Sequence, residues 1–142
     1  MPDWIHSRIY IRGNEAARNE ITQANFDFKE LAPCPEGTDE TVWHDTVYGT
    51  NFEGEPEIVD EDHNGQLCVI TSSAWNPPTK FCKWLMNHYE DLWIKIVYEG
   101  DGSYGGLIIL SKTKEDKDVR VKKFKWDEPY YDGEKLCATD YD

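Results

Sequence analysis

From Trp4 to Arg12 apolar and polar residues alternate, with Ile5, Ile9 and Ile11 on one side and His6, Arg8, Tyr10 and Arg12 on the other. That period of two predicts a strand with one buried face. Gly13 ends it, and Asn14 is a good N-cap residue because its side-chain oxygen accepts an amide hydrogen that a new helix leaves unpaired. Ala17, Ile21, Ala24 and Phe28 follow at steps of four, three and four, the spacing of one helix face, with Phe28 near or past its end. Pro33-Cys34-Pro35-Glu36-Gly37 reads as loop. Across 38–64 the pattern loosens: Val42, Trp43, Val47, Tyr48 and Phe52 punctuate polar residues, which fits a short strand or a loop pinned by aromatics.

The second half is clearer. Leu67-Cys68-Val69-Ile70 is a continuous apolar run within Gln66 to Ser73 and predicts a well-buried strand. Asn76-Pro77-Pro78 predicts a helix start, with Asn76 as N-cap and Pro77 at the first helical position, where a missing N–H costs nothing. Phe81, Trp84, Leu85 and His88 or Tyr89 form its apolar stripe. Trp93 to Glu99 alternates, Gly100-Asp101-Gly102 makes a turn, and Tyr104 to Leu110 returns as the second arm of a hairpin. Val119 to Trp126 carries Arg120, Lys122, Lys123 and Lys125, a density that suits an edge strand. This order predicts an α+β fold: a ferredoxin-like antiparallel sheet of five or six strands with two helices on one face. One domain spans 1–126 with a long acidic loop region at 33–65, and 127–142 form an acidic tail.

Charge sharpens this picture. The 142 residues hold 28 acids against 15 Lys and Arg, a formal net charge of −13. Residues 30–79 hold 11 acids and no Lys or Arg, while 112–126 hold seven bases and three acids. A surface of the first kind repels phosphates, so direct nucleic-acid binding is not expected. No apolar run approaches the roughly 20 residues that span a bilayer, and the start has no signal-peptide layout, which favours a soluble intracellular domain.

Catalytic and metal chemistry find little footing. Cys34, Cys68, Cys82 and Cys137 stand far apart, with no close ligand pair of the zinc-site kind. Asp60-Glu61-Asp62-His63-Asn64-Gly65 lacks the ligand spacing of a calcium loop. His6, His44, His63 and His88 are scattered, and no Ser or Cys sits in a nucleophile-elbow context. The expectation is a protein without cofactor, metal or enzymatic activity.

Three stretches carry a resemblance. They are Met1-Pro2-Asp3-Trp4 with Ile9-Tyr10-Ile11-Arg12-Gly13, the run from Trp43 to Phe52, and Ser73-Ala74-Trp75-Asn76-Pro77-Pro78 followed by Tyr98-Glu99-Gly100 and Tyr104-Gly105-Gly106. In that order the chain resembles small plasmid- and phage-borne proteins of the YubB type, over about residues 1 to 110. Asp3 stands where that family has Asn, Tyr48 where it has Trp, and Asn51-Phe52 where it has Lys-Trp. The resemblance implies a ferredoxin-like domain and a mobile genetic element acting in a bacterial cytoplasm; it supplies no enzymatic activity.

Two functional expectations follow. In the first, the chain is an acidic protein that binds and modulates or inhibits a host protein with a basic surface, such as an antiviral-defence or nucleic-acid-binding effector. Its contact surface would be Glu53, Glu55, Glu57, Asp60, Glu61 and Asp62. Nucleic-acid mimicry is a variant of this, although ten acids over residues 36–62 lie near ~9 Å apart on an extended chain, sparser than the ~1.7 Å of a duplex. In the second, Trp43, Tyr48 and Trp75, with Thr50, Asn51 and Asn76 beside them, line a pocket for a small molecule or nucleotide.

Overall fold

The computed structural model describes residues 4–63, 65–100, 105–113, 115 and 118–125, and for 52–55, 59–63 and 125 the backbone alone. The expected acidic tail at 127–142, Cys137, and Asp101 and Gly102 of the expected turn lie outside these residues.

The fold is α+β, built on a six-stranded antiparallel sheet in the order β2-β3-β1-β4-β5-β6. The strands are β1 (Trp4–Gly13), β2 (Phe52–His63), β3 (Gln66–Ala74), β4 (Leu92–Gly100), β5 (Gly105–Ser111) and β6 (Arg120–Lys125). The helices are α1 (Glu15–Gln23), α2 (Phe28–Leu31), α3 (Glu40–Trp43), which runs into a π-helical turn (His44–Tyr48), and α4 (Thr79–His88).

Register explains which face is buried. Ile9 lies between Val69 and Ile96, and Ile11 between Leu67 and Ile94. Ile94 and Ile96 in turn face Leu110 and Ile108. These eight side chains form one apolar face and join a single cluster with Ala17 and Ile21 of α1, Val47 and Tyr48 of the π turn, and Phe81, Cys82, Leu85 and Met86 of α4. Phe28, Leu31 and Trp43 pack against the same cluster, so the described helices all cover this face. The alternate positions of β1 lie on the other face, where the Lys95 ammonium sits 4.8 Å from the centre of the Tyr10 ring.

Three of the sequence expectations are corrected. Among the described residues there are four helices and a π turn rather than two helices, and the element order is accordingly not a bare βαββαβ. Phe28 lies past the end of α1, as its place in the spacing allowed, and belongs to α2, which Asp27 starts by accepting hydrogen bonds from Lys29 N and Glu30 N; the break after Ala24 follows from positive φ at Asn25 and Phe26. Asn76 does not cap α4: the helix opens at Thr79 after Pro78 with no side-chain cap, and the Asn76 carbonyl instead accepts from Ser73 Oγ at 2.6 Å. Finally, the stretch expected as acidic loop contains α3, the π turn and the 12-residue strand β2. Asp39 makes the local difference, because its carboxylate accepts Thr41 N and Val42 N and nucleates α3.

One buried pair is unusual. Ser7 and Thr71 face each other across β1 and β3 and are 2% and 4% exposed. Among the described residues neither hydroxyl has a hydrogen-bond partner. Burying such groups unpaired costs about 1–3 kcal/mol each. The double variant Ser7→Ala/Thr71→Val is therefore expected to unfold at higher urea than the parent, and a lower midpoint would show that the hydroxyls are satisfied in solution.

Candidate functional site

Thr50, Asn51, Glu53, Trp75 and Asn76 come together at the end of the sheet where β2 starts and β3 stops, whereas Asp60, Glu61 and Asp62 lie toward the other end of β2. Phe52 pairs with Ser73 and Glu53 with Ser72, and the Ala74 amide donates to the Asn51 carbonyl at 2.8 Å. Trp75 follows directly on Ala74, so the first acids of β2 and Trp75 share one corner of the fold.

The π turn reaches this corner through a compact set of bonds. Gly49, at φ +73°, closes the turn by donating its amide to the His44 carbonyl at 2.7 Å. A positive φ suits glycine because it has no Cβ to clash. Next to it, Thr50 is buried and its hydroxyl donates to the Ala74 carbonyl at 2.8 Å. The imidazole Nε2–H of His44 donates to Asn51 Oδ1 at 2.8 Å, while the Lys80 ammonium at the start of α4 donates to the Asp45 carbonyl at 2.9 Å. These bonds tie the π turn to the end of β3 and to α4.

Trp43 and Tyr48 face inward. The Trp43 indole N–H and the Tyr48 hydroxyl both donate to the Ala32 carbonyl, at 2.9 and 2.6 Å. Tyr48 is buried, meets Phe28 edge-on at 4.6 Å between ring centres, and burial pushes its phenol up from the ordinary range. These two aromatics anchor the loop before the π turn onto the helical layer.

Trp75 behaves differently. It is 64% exposed and its φ is +71°. For a bulky side chain that backbone region costs on the order of 1–3 kcal/mol and persists only where neighbours over-determine it. Here they do: the Ala74 carbonyl accepts both Thr50 Oγ and the Asn76 amide, and the Asn76 carbonyl accepts Ser73 Oγ. The strain thus holds an indole out in water. Sequence reading placed Trp75 in an aromatic group with Trp43 and Tyr48; only the backbone conformation separates it from them.

The acidic residues fall as follows. Glu53, Glu55, Glu57, Asp60, Glu61 and Asp62 all lie on β2, an outer strand of the sheet. Glu57 is exposed. The pairing with β3 shifts register between Glu53 and Glu57, between Ile58 and Asp60, and between Asp60 and His63, and such bulges twist an edge and re-aim its side chains.

A separate cleft of about 530 Å³ lies at the far end of β1, among Met86, Asn87, Tyr89, Asp91, Leu92 and Lys112. No local pattern along the chain points to it. Tyr89 donates to Glu20 Oε2 at 2.6 Å, and burial together with that bond pushes its phenol up to about 12. Lys112 Nζ donates to Asn87 Oδ1 at 3.2 Å. Within the cleft, Asn87 and Lys112 are thus bonded to each other, and Tyr89 to Glu20.

Among the described residues no three His, Cys, Asp or Glu side chains gather as a metal site, and no helix is long and apolar enough to cross a membrane. Compared with protein-family models, curated proteins and solved structures, the chain finds no match.

Proposed function

We propose that this chain is a non-catalytic binding protein of a phage or related mobile element, which docks a basic surface of a host protein and modulates it. The observation that carries this reading is the exposed, strained Trp75 beside the start of an outer strand that bears six acids and no Lys or Arg. An indole held out in water is the type of anchor that dominates protein interfaces. A one-sign edge steers a partner of opposite sign and fixes its orientation. An antiviral-defence or nucleic-acid-binding effector presents such a basic surface.

The mobile-element origin rests on the YubB-type resemblance in the sequence. The same reading takes the first four strands as a ferredoxin-like unit, supported by their order β2-β3-β1-β4 and by helix-containing connections after β1 and after β3. The small-molecule alternative is weaker, because Trp43 and Tyr48 spend their polar atoms on the Ala32 carbonyl.

The test is capture from bacterial lysate followed by titration of the captured protein. Trp75→Ala is expected to weaken binding by about 30-fold or more, the loss of a hot spot worth about 2 kcal/mol, with the thermal midpoint little changed. Reversing Glu53, Glu55, Glu57, Asp60, Glu61 and Asp62 to Lys is expected to abolish it. Full binding by both variants would overturn the proposal, and a saturable thermal shift with nucleotides would favour a ligand pocket instead.

A further inference from the structure

The two outer strands of the sheet carry opposite charge. β2 holds six acids and no Lys or Arg, and β6, Arg120–Lys125, holds four cations and no acid. Arg120, Lys122 and Lys123 are exposed, and Val121 between them is 36% exposed. Among the described residues β2 pairs only with β3 and β6 only with β5. Four strands lie between the two edges, about 24 Å of sheet at ~4.8 Å per step. We infer that β6 of one molecule pairs with β2 of a second copy, so that the chain associates head to tail through its sheet edges.

Charge selects this pairing over the others. Outer strands offer unpaired N–H and C=O groups, and lysines and bulges normally blunt them. Two β6 edges would oppose cations to cations, and two β2 edges acids to acids; like charges directly opposite are unfavourable. Only β6 against β2 brings opposite charges together. Here the devices that block self-pairing of each edge leave one combination open.

Strand direction agrees. Every neighbouring pair in the sheet is antiparallel, so with six strands β2 and β6 run in opposite directions. A second copy added in the same orientation therefore meets β6 with an antiparallel β2. The alternation continues unbroken and the helices stay on the same face. Such a contact uses two different surfaces, so it leaves a free edge at each end and extends rather than closing as a dimer. Each strand step rotates by roughly 20–25°, so successive copies wind about the growing axis. Because β6 has six residues and β2 is bulged, the contact is short and salt-sensitive.

The inference builds on the reading of β2 as a docking edge, but its occupant is the chain itself. Sedimentation of the full chain is expected to show mass rising with concentration near 0.1 M salt and falling back to monomer near 1 M, where the Debye length shrinks from about 10 to about 3 Å. Lys122→Glu/Lys123→Glu and Glu53→Lys/Glu57→Lys should each weaken self-association about tenfold or more. Mixed together, the two variants should associate more strongly than either does alone, because one retains an acidic β2 and the other a basic β6. Trp75→Ala should self-associate like the parent while losing the host partner, which separates this inference from the functional proposal. A parent chain that stays monomeric at low salt overturns the edge pairing, as does either charge variant associating normally alone, or a mixture that remains monomeric.

Discussion

Replacing Phe81 by alanine is expected to cost about 3–5 kcal/mol, the range for removing a buried phenylalanine from a packed core. Phe81 is fully buried on α4. Its ring meets Phe26 edge-on at 5.2 Å, lies 6.4 Å from Phe28 and from Tyr48, and stacks on Trp84 at 6.4 Å. It therefore joins the residues after α1, the π turn and α4 in one aromatic group. The cavity left by alanine would face rings that cannot all collapse inward, because Tyr48 is bonded to the Ala32 carbonyl. The check is calorimetry and urea unfolding: the thermal midpoint should fall by about 10 °C or more. A loss under about 1 kcal/mol would mean that the helical layer repacks and that this group is not its centre.

Gly13→Ala is expected to be comparably damaging by another route. Gly13 has φ +101°, and a Cβ there would lie 1.9 Å from the Asp91 carbonyl oxygen. That oxygen is backbone and cannot rotate away. It also accepts the Asn14 amide at 2.9 Å, while the Gly13 carbonyl accepts Arg18 Nε–H at 2.8 Å. Any methyl group must push the end of β1 away from the loop between α4 and β4. The conformation costs on the order of 1–3 kcal/mol for an L residue and the overpacking a similar amount. Urea unfolding of the variant should show a combined loss of several kcal/mol, and an unchanged midpoint would mean that this crossing of backbones is looser than described. Gly37→Ala serves as a control, because at φ +85° it carries the backbone strain while its added Cβ meets nothing within 4 Å.

Much of the scaffold is legible in the sequence. Alternation placed β1 and its buried isoleucines correctly, since a period of two has one physical reading when one face is apolar. Asn14 caps α1 as expected, accepting the Ala17 amide at 3.1 Å. The lysine-rich last strand is an outer strand, as its charge density suggested. Residues 38–63 were not legible, because their order comes from capping by Asp39, from a glycine-closed π turn, and from pairing with a strand that follows. A single pass along the chain reveals none of these as a period.

The candidate site shows the same division. Sequence alone determined which residues carry charge and aromatic surface: acids without bases from 30 to 79, bases from 112 to 126, and Trp43, Tyr48 and Trp75 in the distinctive stretches. Composition and local spacing are properties of the chain and need no fold to be read. Only the tertiary structure decided what each does. It turned Trp43 and Tyr48 inward onto one carbonyl and left Trp75 exposed on a strained backbone. Six of the acids went to one outer strand, and four cations to the opposite one. Strand order and backbone dihedrals fix these outcomes, and both are set by which distant segments bury their apolar faces together, a global minimum that no local pattern encodes.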